Sequence, residues 1–308
     1  MKSQQNVREM IANNQKNKKG FSDKFVPIIL AIIAVISILT TIGILFTLLT
    51  ETITFFTRVS ITEFLFTKEW NPFSSSPKYG IWALILGTLK ITVIATLFAV
   101  PIGLGAAIYL SEYATDRMRK IIKPVLEILA GIPTIVFGFF ALTFVTPLLR
   151  SIFPELGSFN SISPGIVVGV MIIPLITSLS EDAMASVPNK IREGALGLGA
   201  TKFEVSTKVV LPAAISGIVA SIVLAISRAI GETMIVSLAA GSTPDSTFNL
   251  TGSIQTMTGY IVQVATGDAT FGSDIYYSIY AVGFTLFLFT LVMNLISQWI
   301  SKRFREEY

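Results

Sequence analysis

The 308-residue sequence contains no cysteine and no histidine. Disulfides, thiolate nucleophiles, histidine proton relays, and zinc or haem sites built on imidazole are therefore excluded from this chain. Charged residues are also scarce, at 14% of the chain, whereas 52% of the residues are hydrophobic. This mixture is typical of proteins that cross a lipid bilayer several times. The small net charge of +4 is therefore interpreted as a signal of orientation in the bilayer and not of nucleic-acid binding.

Six apolar runs are each long enough to cross a membrane, since about 20 helical residues span roughly 30 Å of hydrocarbon. The sequence therefore predicts an all-α polytopic membrane protein with about six transmembrane helices. We place these helices at about 26–49, 82–110, 124–147, 162–180, 213–240 and 277–299. The first run is too long for a signal peptide and lacks a small-residue cleavage pattern, so we interpret it as a retained anchor.

Lysine and arginine alternate in density along the connections between these runs. They are frequent before the first run, between the second and third, between the fourth and fifth, and after the last, whereas residues 241–276 contain none. By the positive-inside rule, this alternation predicts cytoplasmic N- and C-termini and three connections on the outer side. On the outer side, an apolar stretch near 254–265 is interpreted as a short helix at the membrane surface.

Composition also divides the chain into four parts. Residues 1–25 are rich in Asn, Gln and Lys and predict a mobile cytoplasmic N-terminus, because they offer little apolar surface to pack. Residues 26–81 hold the anchor helix and a polar, aromatic outer loop. Residues 82–300 form the transmembrane core, and 301–308 form a cytoplasmic tail.

Proline and glycine interrupt several of the core spans. The hinge candidates are Pro101, Gly131, Pro133 and Pro174. Proline removes a backbone donor, so the freed carbonyl must find another partner inside the membrane. These positions predict a cavity or a hinge, although proline and glycine also serve ordinary packing in membrane helices. Gly165 and Gly169 form a small-xxx-small face that favours such packing.

The strongest chemical signal is a pair of charges in the predicted fifth span. Arg228 and Glu232 are four residues apart, so on a continuous helix they lie on one face and can form an ion pair. A charge near the bilayer centre costs about 2.5–3.5 kcal/mol on insertion scales, so this face should line a bundle interior or a wet path. A guanidinium suits carboxylate or phosphate oxygens. A buried pair that only sets the helix register is the alternative. Lys90 is a further candidate for the same path, and Glu127 is placed near the cytoplasmic edge.

A glycine-rich segment lies between the predicted fourth and fifth spans. Pro188 suits the start of a short helix, and Gly197 and Gly199 predict its end. The spacing of Thr201 and Glu204 predicts a capping box, so a second helix begins there and continues through Pro212. Three apolar residues, Ala195, Leu196 and Leu198, are left exposed by this arrangement, which predicts a protein partner.

This segment resembles the docking pattern of the membrane subunits of binding-protein-dependent ABC importers. That pattern is Glu-Ala-Ala, three residues, Gly, nine residues, Ile, one residue, Leu-Pro. The matching positions are Glu193, Gly194, Ala195, Gly199, Val209, Leu211 and Pro212, with Gly194 where Ala is usual and Val209 where Ile is usual. The substitution at Gly194 should loosen the helix by up to about 1 kcal/mol.

Three further stretches are similar to the phosphate-specific transport (Pst) permeases, and to the PstC-type subunit in particular. They are Ser111–Ala114, Glu127–Pro133 and Arg228–Met234. The resemblance implies a type I ABC importer permease fold in the inner membrane of a bacterium or archaeon. It implies a heterodimer with a PstA-type permease, two ATPase subunits and an extracytoplasmic phosphate-binding protein. It also implies that Arg228 and Glu232 act in passage of the anion, and that ATP is bound by the ATPase partner and not by this chain.

Two other functions compatible with these residues stay open. A permease for another oxyanion would keep the same architecture, because one arginine does not separate phosphate from phosphonate, sulfate or molybdate. A secondary anion transporter would use the same intramembrane charges but would have no ATPase partner. An enzymatic function is disfavoured, because the chain has no phosphate-binding loop and no nucleophile with a suitable base.

Overall fold

The computed structural model describes residues 21–267 and 269–303, with side chains described from Phe25 to Ile300 except at 268. The predicted mobile N-terminus and C-terminal tail therefore lie largely outside the described residues. The helices are α1 (Phe21–Arg58), α2 (Ile61–Phe66), α3 (Trp82–Ile108), α4 (Asp116–Gly131), α5 (Thr134–Phe140), α6 (Thr146–Ile152), α7 (Ile162–Ala185), α8 (Asn189–Gly197), α9 (Lys202–Glu204), α10 (Leu211–Ile230), α11 (Met234–Ala239), α12 (Met257–Thr266) and α13 (Asp274–Arg303). Two short strands, β1 (Trp70–Asn71) and β2 (Lys78–Tyr79), pair antiparallel.

Three π-helical segments lengthen these helices. They are Tyr109–Tyr113 after α3, Ala141–Val145 between α5 and α6, and Val205–Val210 between α9 and α10. A π-helical turn leaves backbone groups without their ordinary helical partners, and such turns are frequent at functional sites. One of the three, Val205–Val210, lies within the segment that resembles the importer docking pattern.

Within the described residues, six helical stretches are long and apolar enough to cross a membrane, which confirms the predicted fold class. They are Phe25–Arg58, Trp82–Tyr113, Thr134–Ile152, Ile162–Ala185, Lys202–Ile230 and Asp274–Ile300. Residues up to Glu51 form one compact unit, and residues from Thr52 onward form a second unit that holds the other five stretches.

The predicted start of the third span, at about residue 124, is wrong. Residues 124–131 belong to α4, an amphipathic helix that begins after the cap of Thr115. Ile132 and Pro133 both adopt extended backbone, with ψ of 129° and 136°, and separate α4 from the helix that begins at Thr134. A residue before proline is disfavoured in the helical region. Hydropathy alone missed this break, because both sides of it are apolar.

The predicted fifth span, 213–240, is also not one helix. The helix α10 ends at Ile230, and residues Gly231 to Thr233 separate α10 from the short helix α11. By contrast, α3 continues through Pro101 and α7 continues through Pro174. Of the four hinge candidates, only Gly131 and Pro133 therefore flank a break in helical structure. A hinge function for any of them stays a prediction.

The centre of the second unit is built from α3, α7 and α10. The small residues Gly165 and Gly169 of α7 lie against Ile94 and Phe98 of α3, so close that a Cβ at either glycine would meet those side chains at 2.7–2.9 Å. This confirms the predicted role of the small-xxx-small face in helix packing. Ile172 and Ile176 of α7 belong to the buried hydrophobic core around this contact.

A second, aromatic core surrounds the β-hairpin. Trp70 pairs with Tyr79 across the hairpin, and both rings pack edge-to-face with neighbours that include Phe55 and Tyr260. Tyr260 lies on α12, whose residues Met257, Thr258, Tyr260 and Val264 are buried. The short helix predicted near 254–265 is therefore confirmed as Met257–Thr266, and its buried residues pack into the protein.

Candidate functional site

The segment between α7 and α10 forms a helical hairpin, which we call the α8–α9 hairpin (residues 188–212). Pro188 adopts extended backbone immediately before α8, where its missing N–H would be unpaired in any case. The helix ends at Gly197, and Gly199 has φ of +87°, a conformation that favours glycine. The Ala200 N–H donates to the Ala195 carbonyl at 3.1 Å, which closes the C-terminal cap.

The second arm of the hairpin begins at the predicted capping box, which is confirmed. The Glu204 N–H donates to the Thr201 hydroxyl at 3.3 Å, and the Thr201 N–H donates to the Glu204 carboxylate at 3.0 Å. From there the chain stays helical through Val209, Leu211 and Pro212 into α10. Local capping therefore determines both arms and the turn between them.

The tip of this hairpin exposes Leu196 and Leu198, as predicted, whereas Ala195 is only partly exposed and packs against a buried core cluster. Leu198 is 91% exposed, Phe203 68% and Leu196 48%. Glu193 and Gly194 lie on the exposed surface of α8, and a Cβ at Gly194 would meet no atom within 4 Å. A cluster of exposed apolar residues on a structured hairpin is typical of a surface that binds another protein.

The base of the hairpin is held by Arg192, a residue to which the sequence drew no attention. Its guanidinium donates to Glu112 at 3.1 Å and to the Met184 carbonyl at 2.7 Å, and it also donates to the Val187 carbonyl. The side chains of Arg192 and Glu112 are only 16% and 7% exposed. A planar guanidinium can serve several acceptors at once, so this residue fixes α8 to the end of α7 and to the π-helical segment after α3.

The π-helical segment Tyr109–Tyr113 is itself stabilised by a second arginine. Arg119, on α4, donates to the carbonyls of Leu110 at 2.7 Å and Ser111 at 2.6 Å. These are carbonyls at the end of the helix, where ordinary helical donors are lacking. A polar cavity of about 410 Å³ lies between this segment and the hairpin, and its lining includes Arg119 and Arg192. The hairpin is thus linked through buried charges to the span Trp82–Tyr113.

The other predicted site residue, Arg228, lines a groove of about 210 Å³ between α4, α7 and α10. We call it the central groove. Its lining is Leu126, Glu127, Ala130, Met171, Pro174, Leu175, Ser178, Leu179 and Arg228. Pro174 stands near the middle of the membrane-length helix α7, and Arg228 lies in the last turn of α10. Apolar walls with a few convergent polar groups are typical of small-ligand sites.

The three polar side chains of the central groove are exposed. Within the described residues, Arg228, Glu127 and Ser178 form no ion pair, and their side chains make no hydrogen bond. Glu127, which the sequence placed near the cytoplasmic edge of the membrane, therefore lines the same groove as Arg228. The break at Ile132 and Pro133 ends α4 beside α7, and this allows a carboxylate on α4 to face a groove that also contains Arg228.

The predicted geometry of Arg228 and Glu232 on one helical face is wrong. The helix ends between them, and the Glu232 carboxylate instead accepts hydrogen bonds from the N–H groups of Met234 at 3.1 Å and Ile235 at 3.2 Å. Glu232 is 7% exposed, and no ion pair joins it to Arg228 in the described part of the chain. A carboxylate is stable at the start of a helix, where free N–H groups point toward it.

Lys90 is placed elsewhere. Its ammonium group donates to the Asp245 carboxylate at 3.3 Å and to the Asn249 carbonyl at 3.1 Å. Burial alone would raise the pKa of Asp245, but hydrogen bonds from Thr247 and the charge of Lys90 outweigh it and hold the pKa below its usual value. This pair fastens the segment 241–256 to α3, and it does not bring Lys90 to the central groove.

The family described as "Binding-protein-dependent transport system inner membrane component" matches residues 99–306. The chain is 38% identical to the "Probable ABC transporter permease protein YqgH" of Bacillus subtilis, over 80% of this chain and 79% of that protein. It is 34% identical to the "Phosphate transport system permease protein PstC" of Mesorhizobium japonicum, over 78% of each chain.

Solved structures support the same fold. A crystal structure of a bacterial alginate ABC transporter, in complex with its alginate-bound periplasmic protein, matches with a TM-score of 0.64 at 17% identity. The match covers 94% of this chain and 99% of that one. At this identity the likeness concerns the fold alone, and that fold is the type I ABC importer permease. By its family match and its relatives, this multi-pass membrane protein belongs to the inner-membrane components of binding-protein-dependent transport systems.

Proposed function

We propose that this chain is the PstC-type membrane subunit of an ABC importer of inorganic phosphate, and that it forms half of the translocation path. The observation that carries the proposal is Arg228, which has no ion-pair partner among the described residues and lines a groove between three helices of a permease fold. Relatives named as phosphate transport permeases support the choice of cargo. Exposing a charge to lipid is costly, so the groove should face the path and not the hydrocarbon.

Arg228 is the principal residue of the proposed path. Its guanidinium supplies planar N–H donors that match the oxygens of a phosphate ion, and it lowers the electrostatic barrier to an anion inside the membrane. Conduction needs entry without trapping, so a single arginine with nearby apolar walls suits passage better than a cluster of cations. Glu232 lies two residues beyond the end of the helix that carries Arg228. It supports the path indirectly, because its carboxylate stabilises the start of α11.

The α8–α9 hairpin is the proposed docking surface for a separate ATPase. Its exposed Leu198 and Phe203 would bury apolar surface against that subunit. ATP bound and hydrolysed by the ATPase would move the hairpin, and the ion pair of Arg192 with Glu112 would carry the motion into the span Trp82–Tyr113. The chain itself would bind no cofactor. Alternating access then follows from rotation of the spans around the break at Gly131 and Pro133.

The proposed assembly contains a PstA-type permease, two ATPase subunits and an extracytoplasmic phosphate-binding protein. Both termini and the α8–α9 hairpin would face the cytoplasm, as the distribution of lysine and arginine indicates. The location would be the cell membrane of a bacterium or an archaeon, since relatives occur in both groups.

The test is uptake of labelled phosphate by vesicles that contain this chain with its partner subunits. We expect uptake to require ATP and to resist excess sulfate, molybdate and phosphonate. An ATPase subunit with an inactivated catalytic site is the matched control and should abolish uptake. Uptake driven by an ion gradient without ATP would contradict the ABC mechanism, whereas loss of uptake to one competitor would keep the mechanism and reassign the cargo.

A further inference from the structure

The central groove contains a hydrogen-bond acceptor as well as a donor. Arg228 can only donate, whereas the Glu127 carboxylate, when ionised, can only accept. The Ser178 hydroxyl, in the same lining, can do either. Within the described residues these three side chains are not bonded to one another or to other groups, so their hydrogen-bonding capacity is available to a ligand.

This combination has a consequence for which anion the groove accepts. Phosphate and arsenate carry protons on some of their oxygens near neutral pH, so each offers both O–H donors and oxygen acceptors. Sulfate carries no proton at that pH and offers acceptors alone. An acceptor-only anion would point its lone pairs at the carboxylate of Glu127, which leaves both groups without a donor and brings like charges together.

We propose that Glu127 is a specificity-determining residue of the path. Its carboxylate accepts a hydrogen bond from the P–OH group of a phosphate held by Arg228, and it disfavours sulfate in the same position. The inference depends on the proposed passage of an oxyanion past Arg228. No proton is transferred in this step, since only a hydrogen bond forms. The arginine alone does not separate these anions, but the arginine together with the carboxylate does.

The position of Glu127 suits this role better than that of Glu232 or Glu181. Glu232 is occupied by the N–H groups of α11, and Glu181, with a side chain 5% exposed, is paired with Lys123 at 2.6 Å. Glu127 is exposed and lies on α4, which ends at a backbone break four residues later. Its carboxylate can therefore meet a ligand without first leaving another partner.

The test measures equilibrium binding to the purified transporter complex without its extracytoplasmic binding protein, so that only the membrane part selects the anion. The probes are labelled inorganic phosphate and labelled sulfate, with unlabelled arsenate as a competitor. The variants are Glu127→Gln, Arg228→Gln and the control Glu155→Gln, which makes the same change at an exposed glutamate outside the groove. Gel filtration checks that each complex is intact.

We expect the wild-type complex to prefer phosphate over sulfate and to lose phosphate to arsenate. Glu127→Gln should reduce the preference by about tenfold or more, mainly through tighter sulfate binding, because the amide supplies an N–H donor where the carboxylate had none. Arg228→Gln should weaken both anions, and Glu155→Gln should leave the preference unchanged.

Two results would overturn the inference. One is an equal gain for both anions in Glu127→Gln, which would mean that the carboxylate only repels negative charge. The other is a wild-type complex that shows no preference for phosphate, or no binding, at this step. In either case, ATP-driven phosphate uptake by the complete wild-type system would show that the proposed function stands, and absence of that uptake would show that the proposed function fails as well.

Discussion

Two kinds of charged region occur along the membrane core, and they differ in how their charges are satisfied. Lys90 with Asp245, and Arg192 with Glu112, are ion pairs whose basic side chains are 5% and 16% exposed. They lie near opposite ends of the span Trp82–Tyr113, because Lys90 and Glu112 are separated by 22 residues, or about 33 Å of helix. By contrast, Arg228 in the central groove is exposed and has no ion-pair partner among the described residues.

This difference distinguishes charges that stabilise the fold from a charge that is available for transport. A charge taken out of water must be compensated by a partner, and removing that partner leaves an expensive buried charge. The paired charges therefore hold segments that are distant along the chain in fixed positions. A charge that stays exposed does not need a partner within the fold, so it is available to bind an anion. Mutations at the paired positions should thus affect stability, and mutations in the groove should affect transport.

The largest expected effect on stability is at the base of the α8–α9 hairpin. Replacement Arg192→Met leaves Glu112 buried without its ion-pair partner, so we expect a loss of roughly 3 kcal/mol in the free energy of unfolding. Denaturant unfolding of the purified protein in detergent measures this loss. The double variant with Glu112→Gln should recover part of it, and an unchanged single variant would contradict the role of this pair.

At the other end of the span, Lys90→Met should cost less, roughly 2 kcal/mol, because the side chain of its partner Asp245 is 23% exposed and keeps access to water. The same unfolding measurement applies. Limited proteolysis of the segment 241–256 gives a second readout, since loss of the ion pair should speed cleavage there. Equal cleavage rates in the two proteins would contradict the proposed fastening of this segment.

Acidification should break the same pair more gently. The folded-state pKa of Asp245 is held below its usual value, so its contribution to stability is present above about pH 4 and is lost as the pH falls through the folded-state pKa. We expect the unfolding free energy to fall in that acidic range by less in Asp245→Asn than in the wild type. Identical pH profiles for the two proteins would contradict this coupling.

In the central groove the expectation is reversed. Arg228→Gln should change the unfolding free energy by no more than about 0.5 kcal/mol, since the side chain is exposed and has no partner to lose in the described structure. Uptake of phosphate by the reconstituted complex should nevertheless fall by about tenfold or more. A stable variant with undiminished uptake would remove Arg228 from the path.

The smallest effect on stability is expected at the tip of the hairpin. Leu198 is 91% exposed, so Leu198→Asp should leave the fold unchanged within about 0.5 kcal/mol. The Leu198→Asp variant should no longer bind the ATPase, and co-purification in mild detergent measures this loss. The matched control is Phe271→Asp, an exposed apolar residue on the loop before α13, which should leave co-purification intact.

Local signals in the sequence predicted the α8–α9 hairpin almost residue by residue. The helix start after Pro188, the left-handed turn at Gly199 and the capping box of Thr201 with Glu204 each depend on neighbours within a few residues. The number of membrane-length helices could also be predicted from the sequence, because helix length and apolar composition determine it. Both features follow from interactions that the chain makes with itself at short range.

Only part of the central groove could be predicted from the sequence. Arg228 stood out because an arginine in an apolar run is costly, but periodicity assigned it the wrong partner, since the helix ends at Ile230 before Glu232. The sequence placed Glu127 near the cytoplasmic edge of the membrane and gave no sign that it would share a groove with Arg228. No spacing rule connects residues 127, 178 and 228, which come from three helices.

The sequence by itself therefore determined the class of fold, the number of spans, the turn and caps of the hairpin, and the family to which the chain belongs. Only the tertiary structure decided which charges are paired, because Lys90 meets Asp245 across 155 residues and Arg192 meets Glu112 across 80. Hydropathy and capping act within a few residues of the chain. The partners of a charge depend instead on which helices pack together, and this packing places Glu127, and not Glu232, in one groove with Arg228.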